Sequence, residues 1–545
     1  MLPSPPELLT YRRGAPVYGY SYETGQLTDE IRAVKMGPGA SRVFYANTVG
    51  NYLSAIMWRV LMKQQHKFAP TAEDVKRIKE VVEDMKTHIF TRKAVRHAIT
   101  KMGGLIGIKS PKWSDERFWN AARQLVMDHN PHFKISGGVK NEPYKKGKPP
   151  RPIHADGDVG QLMAGIVMWV FDDILFHRLQ KKTIKHVGKE AAMQRVCENL
   201  CLEAGQELIE TDGSAWDATM SPELRDLIEN PIVDHVMDQM FDLGFPYPPQ
   251  WAQAHGKVNR QKKLSVTAGK SKAVQRVRVV FDAIRRSGHR GTSSLNWLVN
   301  FVLSHCAIMQ NPTRSPRGGK SPGFLDPTTK WGIDRWGKRR QFAWSGEGDD
   351  GLTATHPKLN DQQEQDVVSF WTRMGVNCEL VRCTRVATFV GWKIFCNEGL
   401  PVWELTGPDL PRTISNSAYT VSPSVLAEHR RGTERIVTNQ VGAASYMAYA
   451  ISVQRVSPTL AEVFRRMSEA YGHFNEEALD RDQRMKLGDT RWDGALSDWT
   501  GEEERLARLG LVPQGEYASF VQRASTIELD SPDELIDGLF RGYVQ

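Results

Sequence analysis

With 545 residues, 40% hydrophobic and 25% charged, the chain has the composition of a globular protein large enough for several domains, which excludes a disordered or collagen-like polypeptide. Its 72 Lys and Arg against 63 Asp and Glu leave a net charge of +9, which favours a polyanionic partner, nucleic acid or anionic membrane. Six scattered cysteines without CxxC spacing argue against a disulfide framework and read as reduced thiols of a cytosolic compartment.

The N-terminus opens Met1-Leu2-Pro3-Ser4-Pro5-Pro6, with no basic stretch leading into an apolar one, so no secretory signal is expected. Helical periodicity is plain over 72–86 and 116–127. The segment 139–153 is basic and broken by Pro and Gly; taken alone it reads as a solvated surface. The longest apolar run, 162–171, falls short of the ~20 residues a spanning helix needs, so none is expected. Cys197 and Cys201, one helical turn apart, read as two core thiols on one face rather than half a zinc site.

Residues 207–212 read as a strand ending in a carboxylate, and Ser221-Pro222-Glu223 supplies an N-cap and a first-turn proline that open a helix. Asp212 and Asp217 then sit at a strand end and in the loop after it. From Ser287 to Asn296, two glycines, several hydroxyls and an amide lead into a helix whose Leu295, Leu298, Val299, Val302 and Cys306 follow the helical period. The segment 311–341 is rich in Pro and Gly and carries eight cations (Arg314, Arg317, Lys320, Lys330, Arg335, Lys338, Arg339, Arg340) against Asp326 and Asp334, and reads as an exposed basic loop.

Beyond it, 341–344 and 352–355 are short strand patterns joined by Ser345-Gly346-Glu347-Gly348-Asp349-Asp350-Gly351, a hairpin with Asp349 and Asp350 at its tip. Adjacent aspartates repel each other but suit a hard divalent cation that takes oxygen ligands. If strand 207–212 lies beside this hairpin, Asp212, Asp349 and Asp350 converge and can hold two Mg2+ ions, with Mn2+ as a substitute. Two metals so held serve in-line phosphoryl displacement. From about 406 to 545 the pattern is mostly helical and reads as a separate lobe.

In order along the chain, Asp212-x4-Asp217, Ser287-Gly288-x3-Thr292-x3-Asn296 and Gly348-Asp349-Asp350 resemble motifs A, B and C of the RNA-dependent RNA polymerases of positive-strand RNA viruses. Whether the resemblance is to the picornavirus and calicivirus side or the tombusvirus and nodavirus side stays open. It implies an α+β right-hand fold whose palm is an antiparallel sheet backed by helices. The expected bounds are fingers 1–205, palm 206–231, fingers 232–284, palm 285–405 and a mostly helical thumb 406–545.

The same resemblance implies roles for particular residues. Asp212, Asp349 and Asp350 are the catalytic, metal-binding group; Asp217, Ser287, Gly288, Thr292 and Asn296 bind the NTP and its ribose. Lys140, Lys148 and Arg151, in a segment similar to motif F, grip the triphosphate. Residues 370–375 and 389–393 resemble motifs D and E. No lysine follows Gly375 in that loop, where the nearest candidate cation is Arg382, while Lys393 belongs to the second segment; arginine rarely gives up a proton. The implied partners are RNA template and product and NTPs, with other viral replication proteins and host membranes as further candidates. The implied location is the host cytoplasm.

A reverse transcriptase is the nearest rival, but it commonly has an aromatic gate where this chain has Asp217, an acceptor suited to a 2′-hydroxyl with Asn296 as its partner. A basic RNA-packaging protein accounts for the charge and not for clustered aspartates. A P-loop ATPase is disfavoured because Arg314 and Leu264 stand where Gly319-Lys320-Ser321 and Gly269-Lys270-Ser271 need a preceding glycine.

Overall fold

The computed structural model describes residues 11–540 except 40, 111–112, 129–132, 246–248, 270–275, 315–321, 398–399, 494–498 and 531–534. Met1 to Pro6, Lys270, Ser271, Arg317, Gly319, Lys320 and Ser321, on which expectations fell, lie outside the described residues.

Helices and antiparallel sheets are mixed along the chain, as an α+β fold requires. The organising element is a five-stranded antiparallel sheet of β1 (Glu207–Gly213), β2 (Trp331–Ile333), β3 (Arg339–Glu347), β4 (Asp350–His356) and β5 (Cys378–Cys383), in the order β5-β1-β4-β3-β2. The expected hairpin is β3–β4, paired from Asp350–Glu347 to His356–Gln341, and β1 lies beside it through Gly351–Thr211 to Thr355–Glu207.

Long helices share the sheet's apolar core. The four used below are α1 (Gly157–Arg178), α2 (Pro222–Asp242), α3 (Thr292–Ile308) and α4 (Asp361–Arg373). Ser221 caps α2 by accepting from Leu224 N–H, with Pro222 at its start, and Asn360 and Gln363 form a capping box on α4. Every residue of α3 from Ser294 to Ile308 is buried, and its Leu298, Val302 and Leu303 are fully enclosed, each worth roughly 1.5–3 kcal/mol of burial. α1 is long and apolar enough to cross a membrane by length and composition, longer than its apolar run suggests; here it lies in the largest core cluster.

A second sheet has the order Pro152–Ala155, Ile135–Val139, Lys263–Ala268, Val277–Asp282, with the middle pair parallel. A third, Val386–Phe389, Trp392–Asn397 and Leu400–Pro408, leads into the helical C-terminal lobe, which has its own apolar core around Leu410, Tyr446, Leu460 and Phe464. Val34 and Met36 join that core, and the strand Gln26–Lys35 pairs with Tyr419–Thr420. Residues near the N-terminus are therefore packed into the C-terminal lobe.

Two expectations are corrected. The segment 311–341 is not a free basic loop where it is described: Phe324 and Leu325 are buried, and Arg340 is 1% exposed. Arg340 bonds Asp334 Oδ2 at 2.9 Å, Thr355 Oγ1 at 3.0 Å and the Pro357 carbonyl, while Arg314 pairs with Asp84 at 3.2 Å. The consecutive cations Lys338, Arg339 and Arg340 hid the start of a strand. Of the two thiols expected in the core, Cys197 is buried but Cys201 is exposed, because the helix Lys189–Leu200 ends just before it.

Candidate active site

The tip of β3–β4 is a two-residue turn, Gly348-Asp349, closed by the Asp350–Glu347 pair. Gly348 has φ of +59° and Asp349 is not left-handed, the pattern of a type II′ hairpin turn, so glycine is needed at 348. Asp350 opens β4 rather than sitting in the turn. One residue beyond the Gly351–Thr211 pair, it faces the end of β1, where Asp212 is paired with Glu379 of β5. A Cβ on Gly351 would lie 2.3 Å from Thr211 Oγ1, so glycine there lets β1 and β4 close up beneath the carboxylates.

Each carboxyl feels the charge of its neighbours. Burial, then the charges of Asp217, Asp350 and Asp212, push the Asp349 carboxyl up to about 6. Asp350 is raised by burial and then by Asp212, against the Val390 N–H, which donates to Asp350 Oδ2 at 3.3 Å. Val390 is itself left-handed at φ +47°, unusual for a β-branched residue, at the tip of the hairpin that touches Asp350. Among the described residues no three His, Cys, Asp or Glu side chains form a closed ligand set. The oxygen donors and mutual repulsion of these carboxylates nevertheless fit a hard divalent ion.

Asp217 lies in the short helix Trp216–Thr219 that follows β1, rather than in an open loop. Asn296 Nδ2 donates to Asp217 Oδ1 at 3.2 Å, which is the pairing the sequence suggests. Burial raises the Asp217 carboxyl, while Asn296, Arg285, Arg151 and Lys140 oppose this.

Ser287 Oγ accepts from His154 N–H at 3.3 Å, and Gly288 N–H donates to His154 O at 2.8 Å. A Cβ on Gly288 would meet that oxygen at 2.4 Å, so this glycine serves close packing against the strand Pro152–Ala155. Thr292 Oγ1 donates to the carbonyls of Arg286 and His289, both at 2.8 Å, and closes the loop at the start of α3.

Lys140 and Arg151 both pair with Glu142, at 2.9 and 3.3 Å, at the base of the 140–151 arm; Lys140 N–H donates to Arg151 O at 2.9 Å. Lys148 is exposed, with its carbonyl held by the Tyr45 hydroxyl at 2.7 Å. The charges of Lys140 and Arg151 also act on the Asp217 carboxyl, and nothing described ties Lys148 to that group.

Arg382 stands apart from the carboxylates. It is opposite Ile209, three residues along β1 from Asp212, roughly 10 Å at strand spacing. Its guanidinium pairs with Glu364 at 2.7 Å and bonds the Leu359 carbonyl at 2.8 Å. Lys393 bonds Thr388 Oγ1 at 3.0 Å across its hairpin.

Sequence reasoning missed Asn300. Its Nδ2 donates to the carbonyls of Gly348 at 3.3 Å and Asp349 at 2.9 Å, while its Oδ1 accepts from Ser304 at 2.9 Å. Trp297 Nε1 adds a bond to Gly346 O at 3.0 Å. A lone amide inside the apolar run from Trp297 to Leu303 was the available signal. Glu347 was also unassigned; it is locked by Lys185 at 2.5 Å and by Ser293 at 3.1 Å.

Strand end, hairpin turn and helix start thus define an α+β site of clustered carboxylates facing a hydroxyl- and amide-lined loop. No family model and no curated protein sequence matches the chain. Among solved structures it is similar to an insertion loop deletion mutant of the RNA-dependent RNA polymerase of a human picorbirnavirus, with a TM-score of 0.39 and 14% identity. The match takes in 69% of this chain and 62% of that one, so the chain covers less than two thirds of that polymerase.

Proposed function

We propose that this chain is a viral RNA-dependent RNA polymerase, copying an RNA template from NTPs with release of pyrophosphate. The observation that carries the reading is the register that sets the strand ends bearing Asp212 and Asp350 side by side, with Asp349 in the adjoining turn and the Asp217–Asn296 hydrogen bond after β1.

Asp212 and Asp349, assisted by Asp350, would hold two Mg2+ ions, or Mn2+, which when bound neutralise charge at the attacking and leaving oxygens. The side chains divide the remaining work. Asp217 and Asn296 receive the ribose, and the rigid Ser287-Gly288 loop and Thr292 shape the surface beneath it. Lys140 and Arg151 exchange Glu142 for the triphosphate, with Lys148 reaching from the arm, and stabilise charge on the departing pyrophosphate. Catalysis is then mostly positioning.

In this reading 206–231 and 285–405 are palm, 1–205 and 232–284 fingers, and 406–545 thumb, and the enzyme works in the host cytoplasm for a positive-strand RNA virus. Asp217 in place of an aromatic gate disfavours a reverse transcriptase. The test is incorporation of labelled NTPs on a homopolymeric RNA template with Mg2+, with and without primer, by the wild type and Asp349→Ala. Product from the wild type alone supports the reading. RNA binding without product from either protein leaves two readings, a polymerase that needs a further partner and the packaging alternative.

A further inference from the structure

Behind the Asp217–Asn296 pair lies a buried ion pair that no motif assigns. Arg285 donates through both terminal nitrogens to the carboxylate of Glu229 on α2, one of these bonds measuring 2.8 Å. Its Nε donates to Asn296 Oδ1 at 2.8 Å, and its backbone N–H donates to the carbonyl of Asp217 at 3.0 Å. Arg285 and Glu229 are each 3% exposed and Asn296 is 6% exposed, so water does not compete for these bonds.

We infer that Arg285, oriented by Glu229, is a positioning residue for ribose recognition: it fixes which way the Asn296 amide faces and thereby aims Asp217 at the sugar. The inference rests on the polymerase reading above and deepens it. An amide can present either its oxygen or its NH2 to a neighbour, and the two ends have nearly the same shape. A guanidinium only donates, so the end of Asn296 that faces Arg285 must be oxygen. The NH2 is then left for Asp217, which can only accept when ionised. With Arg285 gone, Asp217 still prefers the NH2, but nothing anchors the Asn296 oxygen, and the amide is free to swing and carry Asp217 off the line to the sugar.

Glu229 completes the arrangement. By taking both terminal nitrogens in a fork, it holds the guanidinium plane so that Nε alone points at Asn296. A lysine at 285 keeps the charge but offers one ammonium, which cannot both form the fork and reach Asn296. Arg285 therefore reads as a device for geometry rather than for charge. Its neighbour Arg286 is engaged elsewhere, with Asp156 at 2.6 Å and Asn259 at 2.9 Å, and cannot take its place.

The experiment measures kcat and KM for a ribonucleotide and its matched 2′-deoxynucleotide on a homopolymeric RNA template, using the full chain. The variants are Arg285→Lys, which keeps the buried charge, and the double variant Arg285→Met with Glu229→Met, which removes the pair together so that neither charge is stranded. The expected result is a loss of about tenfold in the ribose-to-deoxyribose ratio of kcat/KM, the worth of one aimed hydrogen bond, falling chiefly on the ribonucleotide KM. A purely structural role would slow both nucleotides alike; an unchanged ratio in either variant overturns the inference while leaving the polymerase reading standing. If the double variant loses its helical circular dichroism, Arg285→Lys decides. Absence of any synthesis by the wild type overturns both.

Discussion

Asn300 Nδ2 lies 2.9 Å from the carbonyl oxygen of Asp349, so the helix that begins at the Ser287–Asn296 loop also holds the acidic turn by its backbone. One rigid rod therefore carries both the Asp217 partner and the support of Asp349, and a shift in α3 moves them together.

Asn300→Leu removes this donor and leaves two carbonyls and Ser304 without it. The loss of stability expected is about 1–3 kcal/mol, read from chemical denaturation. In incorporation assays kcat should fall more than the NTP KM rises, since the turn and not the nucleotide site is loosened. A variant with wild-type kcat would show that the turn needs no such support.

Asp349→Asn should abolish synthesis yet stabilise the fold. The carboxyl is raised to about 6 by burial and by its acidic neighbours, so ionising it opposes folding. The sign follows: this penalty is absent below ~4, grows as pH rises through about 6 and is complete at pH 7. Removing the charge should gain about 1–2 kcal/mol at pH 7, after allowance for solvent screening. Added Mg2+ should raise the melting temperature of the wild type more than that of the variant; equal shifts would place the ion elsewhere.

Gly288→Ala drives a methyl group into the His154 carbonyl, 2.4 Å from the Cβ position, with the Ala155 Cα at 2.9 Å. Backbone must give way, at about 1–3 kcal/mol. The strand Pro152–Ala155 continues from the arm that bears Lys140 and Arg151, so the NTP KM should rise several-fold. Unchanged KM with lowered stability would confine the glycine to packing.

Asp74 ties the helix Ala72–His88 to α4. Burial raises its carboxyl, but Arg373 at 2.7 and 3.1 Å and the Thr71 cap outweigh this and hold it at about 2. A depressed carboxylate contributes above its unfolded value near 4 and loses that contribution as pH falls towards 2. Asp74→Asn should thus cost about 2 kcal/mol at neutral pH, and the difference from the wild type should shrink steadily below pH ~4 in urea titrations. A constant difference across that range would mean the side chain acts through shape alone.

Local geometry at the candidate site was legible in the sequence where backbone constrains identity: a two-residue turn demands Gly348, and close packing demands Gly288. It was not legible where a residue acts through fold. Asn300, Arg285 and Glu229 work because α2, α3 and β1 meet, and nothing local distinguishes them from other polar residues in helices and loops. Periodicity likewise found the helix Ala72–His88 and the β3–β4 hairpin within a few residues. It missed β2 and the start of β3, whose cations Lys338, Arg339 and Arg340 resemble loop composition until Arg340 turns inward to Asp334.

The pairing of Gln26–Lys35 with Tyr419–Thr420, reinforced by the Tyr471 hydroxyl on the Met36 carbonyl across 435 residues of sequence, has a consequence during synthesis. The hairpin of Pro16–Ser21 and Gln26–Lys35 leaves the ribosome without the strand that the end of its outer edge meets at Val34 and Lys35, and that strand arrives only after nearly four hundred further residues have been translated. An open β edge invites pairing with other chains, so the nascent protein passes through a long interval in which chaperone protection should govern its yield. Truncation before the C-terminal lobe would make that interval permanent.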